Sequence, residues 1–232
     1  MTSIRADIRT PVDLYLDLLA ATLTRSLFED NDWVVGLSSH WGPVPPLLRA
    51  AGYIAPALDK LGVEGVWRGG TSIFMRGVLA ANGVTDRTVW LADSFQGLPP
   101  PDPSQFPADE NLDLSGNKYL AVDVEAVKRN FERYGLLDDQ VEFVVGWFRD
   151  SLPVAPIDRI AVLRLDGDLY ESTMEALDPL YPKLSVGGYC IVDDFGTIEA
   201  CASAVNDYRA RHRITDEIID VDGRGVYWRK TR

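Results

Sequence analysis

Hydrophobic positions follow two alternating periods along the chain from about residue 60 onward. Short apolar runs predict strands at 62–67, 88–92, 141–145, 160–165, 187–192 and 225–229. Apolar residues at helical spacing predict helices at 71–82, 123–134, 171–182 and 198–211. Strands that alternate with helices indicate βαβ units, and therefore an α/β fold with a doubly wound, mostly parallel sheet. The final segment, Val226–Trp228, is expected to pair antiparallel at the edge of that sheet.

Two segments stand apart from this alternation. An amphipathic helix is expected from Pro11 to about Phe28, because apolar residues recur there at helical spacing behind a Thr-Pro start signal. Residues 98–117 are polar and rich in proline, and their length favours a lid or binding loop over the alternative of a disordered surface loop. We expect one domain over 1–232, with a helical or lid segment at 1–60 and the α/β core at 61–232.

Composition narrows the class of protein. The formal net charge is −12, which argues against nucleic acid and against an anionic membrane surface, since both attract clustered Lys and Arg. The first residues contain no apolar stretch typical of a signal peptide, and no apolar run reaches the roughly 18 residues that span a bilayer. The two cysteines predict neither a disulfide framework nor a zinc site. These features predict a cytoplasmic protein.

Glycines separate the first predicted strand from the first core helix. Gly65, Gly69 and Gly70 stand just before a helix that begins near Thr71. Such a loop lets a ligand approach the backbone and leaves helix N–H groups available to an anion. The spacing differs from the GxGxxG pattern of dinucleotide-binding proteins, which counts against a nicotinamide-dependent dehydrogenase. A tight turn without a ligand remains an alternative.

Two further strand ends carry residues suited to an adenosine group. Asp93 ends an apolar strand 23 positions after Gly70, where a carboxylate can accept hydrogen bonds from ribose hydroxyls. Helix or turn capping is the alternative for this residue. Trp147 and Phe148 follow Gly146 at the end of another strand, where an aromatic ring can flank adenine or can belong to the core.

Four carboxylates follow two neighbouring strands. Asp166 and Asp168 end one strand, and Asp193 and Asp194 end the next. Carboxylates gathered at one edge of a sheet repel one another unless a cation lies between them, and oxygen ligands suit a hard divalent ion. Such an ion can lower the pKa of a bound hydroxyl while another carboxylate takes the proton. Capping or solvent exposure is the alternative.

Together, these motifs resemble the macrocin O-methyltransferase (TylF-type) family. The similarity covers about residues 12–32 and nearly all of 64–229. The segments that carry it are YLDLL at 15–19, GVWRGG at 65–70, IFMRGVL at 73–79, DSFQGLP at 93–99, LRLDGDLYEST at 163–173 and IVDD at 191–194.

The resemblance implies a Rossmann-like methyltransferase that uses S-adenosylmethionine and Mg²⁺ (or Mn²⁺) to methylate a sugar hydroxyl in antibiotic biosynthesis. It implies a small-molecule glycoside as substrate, a homodimer, and a mobile cover over the site. By the same resemblance, Asp168 is the general base, and the metal ligands are Asp166, Asp193 and Asp194. The cofactor-binding residues implied are Glu64, Gly65, Arg68, Gly69, Gly70, Ser72, Asp93, Ser94, Phe95, Gly146 and Trp147.

Two other functions stay open. A catechol-type O-methyltransferase acting on an aromatic diol uses similar metal chemistry, so the carboxylates do not exclude it. Residues 38–63 depart from the family pattern, and Val63-Glu64 stand where the family has Glu-Thr. A non-catalytic homologue with an impaired cofactor loop is therefore the second alternative.

Overall fold

One sheet of seven strands organises the described part of the molecule. The computed structural model describes residues 33–37 by their backbone, and residues 66–81, 83–221 and 223–232. The strand order is β3-β2-β1-β4-β5-β7-β6. The strands are β1 (Trp33–Leu37), β2 (Val89–Asp93), β3 (Val141–Val145), β4 (Ile160–Leu165), β5 (Leu184–Val192), β6 (Ile219–Asp220) and β7 (Val226–Arg229).

The first five strands are parallel, and the last two are antiparallel to their neighbours. β1 lies between β2 and β4, β3 pairs with β2, and β5 pairs with β4. β7 pairs antiparallel with both β5 and β6. The predicted doubly wound, mostly parallel sheet with an antiparallel strand near its edge is therefore confirmed. Parallel strands present their carboxyl ends at one edge of the sheet, where such folds bind ligands.

Helices cover both faces of the sheet. They are α1 (Gly70–Ala81), α2 (Val124–Arg133), α3 (Phe148–Ser151), α4 (Tyr170–Leu180) and α5 (Glu199–Arg211). Alternate residues of β2 serve two separate cores: Leu91 packs in the core that contains α1 and α2, and Trp90 packs in the core that contains α4 and α5. Successive side chains of a strand point to opposite faces of the sheet. A strand that is covered on both faces is therefore apolar at every position.

The four helices and five of the six strands predicted after residue 60 are confirmed to within a few residues at their ends. The first strand is the exception, since the prediction placed it at 62–67. Val66 and Trp67 instead lie in a 3₁₀ turn, Val66–Arg68, and 62–65 lie outside the described residues. The strand beside β2 and β4 is β1, at 33–37, where Val34 and Val35 give the β-branched character that strands favour.

Other elements were not predicted or cannot be compared. The short elements α3 and β6 were not predicted, because four and two residues carry no measurable period. The helix expected at 11–28 lies outside the described residues. Within the described ranges, no helix is long and apolar enough to cross a membrane.

Candidate active site

A pocket opens at the carboxyl ends of β2, β3 and β4. Its lining residues come from separate parts of the sequence that the fold brings together. They are Trp67; Asp93, Ser94 and Gly97–Pro99; Leu120; Trp147–Arg149; and Asp166–Asp168, Glu171, Ser172 and Glu175. The predicted site residues Asp93, Ser94, Trp147, Asp166 and Asp168 therefore share one pocket. Gly97–Pro99 and Leu120 also line it, so the start of the proline-rich loop and a residue just after its end reach the site.

Asp93 is held at the pocket wall by the turn that follows β2. Its Oδ1 accepts a hydrogen bond from the backbone N–H of Phe95 at 2.7 Å, and Phe95 has a left-handed φ of 56°. The hydroxyl of Ser94 donates to the Gly97 carbonyl at 2.7 Å and accepts the N–H of Gln96 at 2.9 Å. These bonds fix the turn and its carboxylate before any ligand arrives, which suits a ribose-binding group.

Gly69 is required by the local packing. Its φ is +90°, and a Cβ at this position would lie 3.0 Å from Val127 Cγ1 and 3.3 Å from the Phe131 ring. The glycine therefore allows α1 to start close against α2. Ser72, in the first turn of α1, is fully buried, and its Oγ has no hydrogen-bond partner within the described chain. Glu64 and Gly65, also expected to bind cofactor, lie outside the described residues.

Arg68 belongs to an aromatic stack beside the pocket. Its guanidinium lies 4.2 Å from the Trp67 ring centroid and 5.7 Å from that of Tyr119. The indole N–H of Trp67 donates to the Tyr119 carbonyl, and the carbonyl of Arg68 accepts from Asn130 Nδ2 at 2.9 Å. The glycine-containing turn is thereby joined to the end of the proline-rich loop and to α2.

At the end of β3, Gly146 makes a backbone hydrogen bond to the neighbouring strand end, and Trp147 lines the pocket. The N–H of Gly146 donates to the carbonyl of Asp93 at 2.9 Å, so Gly146 ties the end of β3 to the ribose-side turn, and its φ is +141°. Trp147 and Phe148 both line the pocket, and Phe148 also packs against the core. The interpretation of Phe148 as a core residue is thus supported, and its contact with an adenine ring stays a prediction.

The acidic cluster is organised by a buried arginine. Arg164, 0% exposed at the end of β4, donates through Nη2 to Asp166 Oδ2 at 2.6 Å and also to Asp193 Oδ2. Burial and the neighbouring charge of Asp193 raise the pKa of Asp166 well above its usual range, and the Arg164 guanidinium opposes this shift. The sequence motif contained Arg164, but its bridging position depends on the pairing of β4 with β5.

Donor chemistry at this cluster suits a divalent cation. Asp166, Asp193 and Asp194 are buried carboxylates, and Asp194 Oδ2 is buried without a hydrogen-bond partner in the described chain. Hard cations prefer such oxygen ligands. The described residues contain no group of three acidic, His or Cys side chains already gathered for a metal ion; Asp166 and Asp193 instead both pair with Arg164.

Asp168 occupies an unusual backbone conformation. The backbone φ of Asp168 is +56°, a left-handed value that residues other than glycine rarely adopt. Asp168 is only 2% exposed and lines the pocket. The next residue, Leu169, donates its N–H to the Gly167 carbonyl at 2.5 Å. Strained conformations of this kind concentrate at functional sites. The structure therefore places Asp168, the residue predicted to be the base, on the pocket wall.

Charged side chains that sequence reasoning did not assign also line the pocket. The backbone N–H of Arg149 donates to Glu175 Oε2 at 3.2 Å, and Arg149 Nη1 lies 4.0 Å from Glu171 Oε1. Burial and then the charge of Glu171 raise the pKa of Glu175 to about 7. The spacing of Glu171 and Glu175, four residues apart on a helix that follows Asp168, is the signal that could have identified them.

Comparison with known proteins supports a methyltransferase. A family model described as macrocin-O-methyltransferase (TylF) matches residues 60–230. The chain is 45% identical over 244 aligned residues to 8-demethyl-8-(2,3-dimethoxy-alpha-L-rhamnosyl)-tetracenomycin-C 4'-O-methyltransferase of Streptomyces olivaceus, covering 94% of this chain and 93% of that protein. It is 44% identical over 253 aligned residues to mycinamicin III 3''-O-methyltransferase of Micromonospora griseorubida, covering 96% and 98% respectively.

A solved structure agrees with these relatives. The O-methyltransferase NovP superposes with a TM-score of 0.71 at 42% sequence identity, and the match covers 95% of this chain and 100% of that one. Strand order, pocket and sequence similarity all lead to the same assignment. The chain belongs to the macrocin O-methyltransferase (TylF) family and is an S-adenosylmethionine-dependent O-methyltransferase.

Proposed function

We propose that this enzyme methylates a sugar hydroxyl of a glycosylated secondary metabolite, with Mg²⁺ assisting at the acidic cluster. The observation that carries the proposal is Asp168, a buried carboxylate held in a left-handed conformation on the wall of the same pocket as Asp93. One end of this pocket suits a ribose, and the other offers a base and further carboxylates.

The acceptor class is inferred from the pocket and from the relatives. Two relatives are named as O-methyltransferases of a rhamnosyl-bearing tetracenomycin and of mycinamicin III. The pocket of this chain combines aromatic walls at Trp67 and Trp147 with charged groups at Arg149, Glu171 and Glu175. Carboxylates accept hydrogen bonds from hydroxyls, and rings pack on C–H faces, so this mixture suits a sugar.

The chain's own residues perform the positioning and the proton transfer. Asp168 takes the proton from the acceptor oxygen as that oxygen forms its bond to the methyl carbon. Asp93 orients the cofactor through its ribose, while the loop at Gly97–Pro99 and Leu120 limits the access of water. S-adenosylmethionine, when bound, supplies an electrophilic methyl group whose bonding electron pair remains on the departing sulfur.

The proposed metal ligands are Asp166, Asp193 and Asp194. A magnesium ion held by these carboxylates would lower the pKa of a hydroxyl in contact with it. Arg164 supplies the positive charge next to Asp166 and Asp193 in the structure, so we infer that metal binding competes with this ion pair or rearranges it.

The experiment measures methyl transfer and cofactor binding together. Purified enzyme is incubated with S-adenosylmethionine, Mg²⁺ or EDTA, and acceptors of two classes, deoxysugar glycosides and catechols. We expect transfer only to glycosides, dependence on Mg²⁺, and loss of turnover in Asp168→Asn with little change in cofactor affinity measured by calorimetry.

Three outcomes contradict parts of this proposal. Transfer to catechols alone identifies an aromatic-diol enzyme, and unchanged turnover in Asp168→Asn removes that residue as the base. Failure of the wild-type enzyme to bind S-adenosylmethionine supports the non-catalytic alternative. The exposed Asp150→Asn on α3 is the matched control, since its side chain is 70% exposed.

A further inference from the structure

Helix α4, which follows the proposed base, is capped by a residue from a different part of the chain. Its own N-cap residue, Leu169, makes no side-chain capping bond. Asp109 instead accepts the N–H of Tyr170 through Oδ1 at 2.7 Å and the N–H of Glu171 through Oδ2 at 3.0 Å. A carboxylate at this end of a helix satisfies unpaired N–H groups and interacts favourably with the helix dipole.

Asp109 is placed there by the proline-rich loop. It ends the 3₁₀ turn Pro107–Asp109, is 0% exposed, and donates its own N–H to the Phe106 carbonyl at 3.0 Å. The Phe106 ring lies 6.0 Å from the Tyr170 ring, which adds a second contact between the same loop and α4. A buried carboxylate is costly unless hydrogen bonds compensate it, so the loop and the helix end stabilise each other.

This cap acts immediately beside Asp168. Tyr170 and Glu171 follow Asp168 by two and three residues, and Thr173 donates its N–H to the Leu169 carbonyl at 3.0 Å. The left-handed backbone of Asp168 persists only if the residues on both sides of it are held. The strand end at Leu165 holds one side, and the first turn of α4 holds the other.

We propose that Asp109 is a positioning residue that acts through Asp168: it fixes the first turn of α4, and with it the proposed base, when the proline-rich loop lies against the pocket. The proposal rests on the proposed function, in which Asp168 takes the acceptor proton. It assigns the loop a part in catalysis in addition to covering the site.

The test compares Asp109→Asn with Asp113→Asn. Asp113 lies in the same loop but is solvent-accessible and only closes a local turn with Ser115. A small displacement of a reacting group reduces rates strongly, so we expect kcat of Asp109→Asn to fall about 10- to 100-fold. The Kd for S-adenosylmethionine should stay within about twofold, and Asp113→Asn should match wild type in both quantities.

A double-mutant cycle separates positioning from general damage. If Asp109 acts through Asp168, adding Asp109→Asn to Asp168→Asn causes no further loss in single-turnover methyl transfer. An equal fold-loss in both backgrounds overturns the proposal, as does wild-type kcat in Asp109→Asn. Full activity of Asp168→Asn refutes the proposed base instead, so the two failures are distinguishable.

A second variant covers the case in which Asp109→Asn does not fold. Phe106→Leu keeps the cap residue and loosens only the ring contact with Tyr170. We expect a smaller loss of kcat than in Asp109→Asn, with cofactor affinity retained. Unchanged kcat in Phe106→Leu overturns the proposal when hydrogen exchange shows that the N–H groups of Tyr170 and Glu171 have lost protection, because the base would then be insensitive to the cap.

Discussion

Replacing Arg164 with methionine removes the cation that bridges two buried carboxylates. The side chains of Arg164 and Asp166 are fully buried, and that of Asp193 is 4% exposed. Water therefore cannot hydrate the two carboxylates in the variant unless the core opens. Breaking a buried ion pair from one side costs about 3–5 kcal/mol. For a chain of this length, that loss corresponds to a fall in Tm of about 6–20 °C.

The assay is urea and thermal unfolding in EDTA and in excess Mg²⁺. Arg76→Met is the matched control, because Arg76 pairs at 2.5 Å with Asp138, whose side chain is 37% exposed and can be hydrated. Its loss should be about 1–2 kcal/mol. If Mg²⁺ binds the acidic cluster, it should stabilise Arg164→Met by about 2.7 kcal/mol at 100 times the Kd of that variant, and should stabilise wild type less at the same concentration.

Two results would refute this reasoning. If Arg164→Met lowers the free energy of unfolding in EDTA by no more than Arg76→Met does, the guanidinium does not compensate the charges of the two carboxylates. Equal stabilisation of wild type and Arg164→Met by Mg²⁺ would show that the ion does not take over the position of the arginine charge.

Two further predictions concern Glu175 and Gly69. Because the pKa of Glu175 is raised from 4.5 to about 7 in the folded protein, its stabilising contribution is complete below pH 4.5 and is lost as the pH rises through about 7. Thermal melts across this range should show a decline in wild type that is reduced in Glu175→Gln; identical profiles would contradict the assignment. Gly69→Ala should lower the free energy of unfolding by at least about 2 kcal/mol, from backbone strain and the contact with Val127. Gly83→Ala, also at positive φ but with no described atom within 4 Å, isolates the strain, and an equal loss at both glycines would exclude the packing effect in urea titrations.

The sequence was sufficient to predict long periodic elements and the residues at their ends. Helix α2 has a clear helical period, and strand β4 is an apolar run interrupted only by Arg164. Asp166 after β4 and Asp193 after β5 meet at Arg164 because parallel strands end at one edge of the sheet. The family resemblance is confirmed by the match over residues 60–230.

The errors and omissions have physical causes. Strand β1 was missed because Gly36 interrupts its apolar run, and the run at 62–67 suggested a strand that Val66 and Trp67 do not form. The cap from Asp109 to α4 joins residues more than 60 positions apart, so no local pattern indicates it. Arg164 was recognised as part of a motif, but its charge compensation depends on a neighbouring strand.

The central strand also determines how the two halves of the site are held together. Val34 in β1 pairs with Val89 on one side and with Val162 on the other, so β1 joins the strand that carries Asp93 to the strand that carries Asp166. These pairings span long stretches of chain, and contacts of this kind form late and slowly in folding. The alignment of the ribose-side turn with the acidic cluster is therefore a cooperative property of the whole sheet.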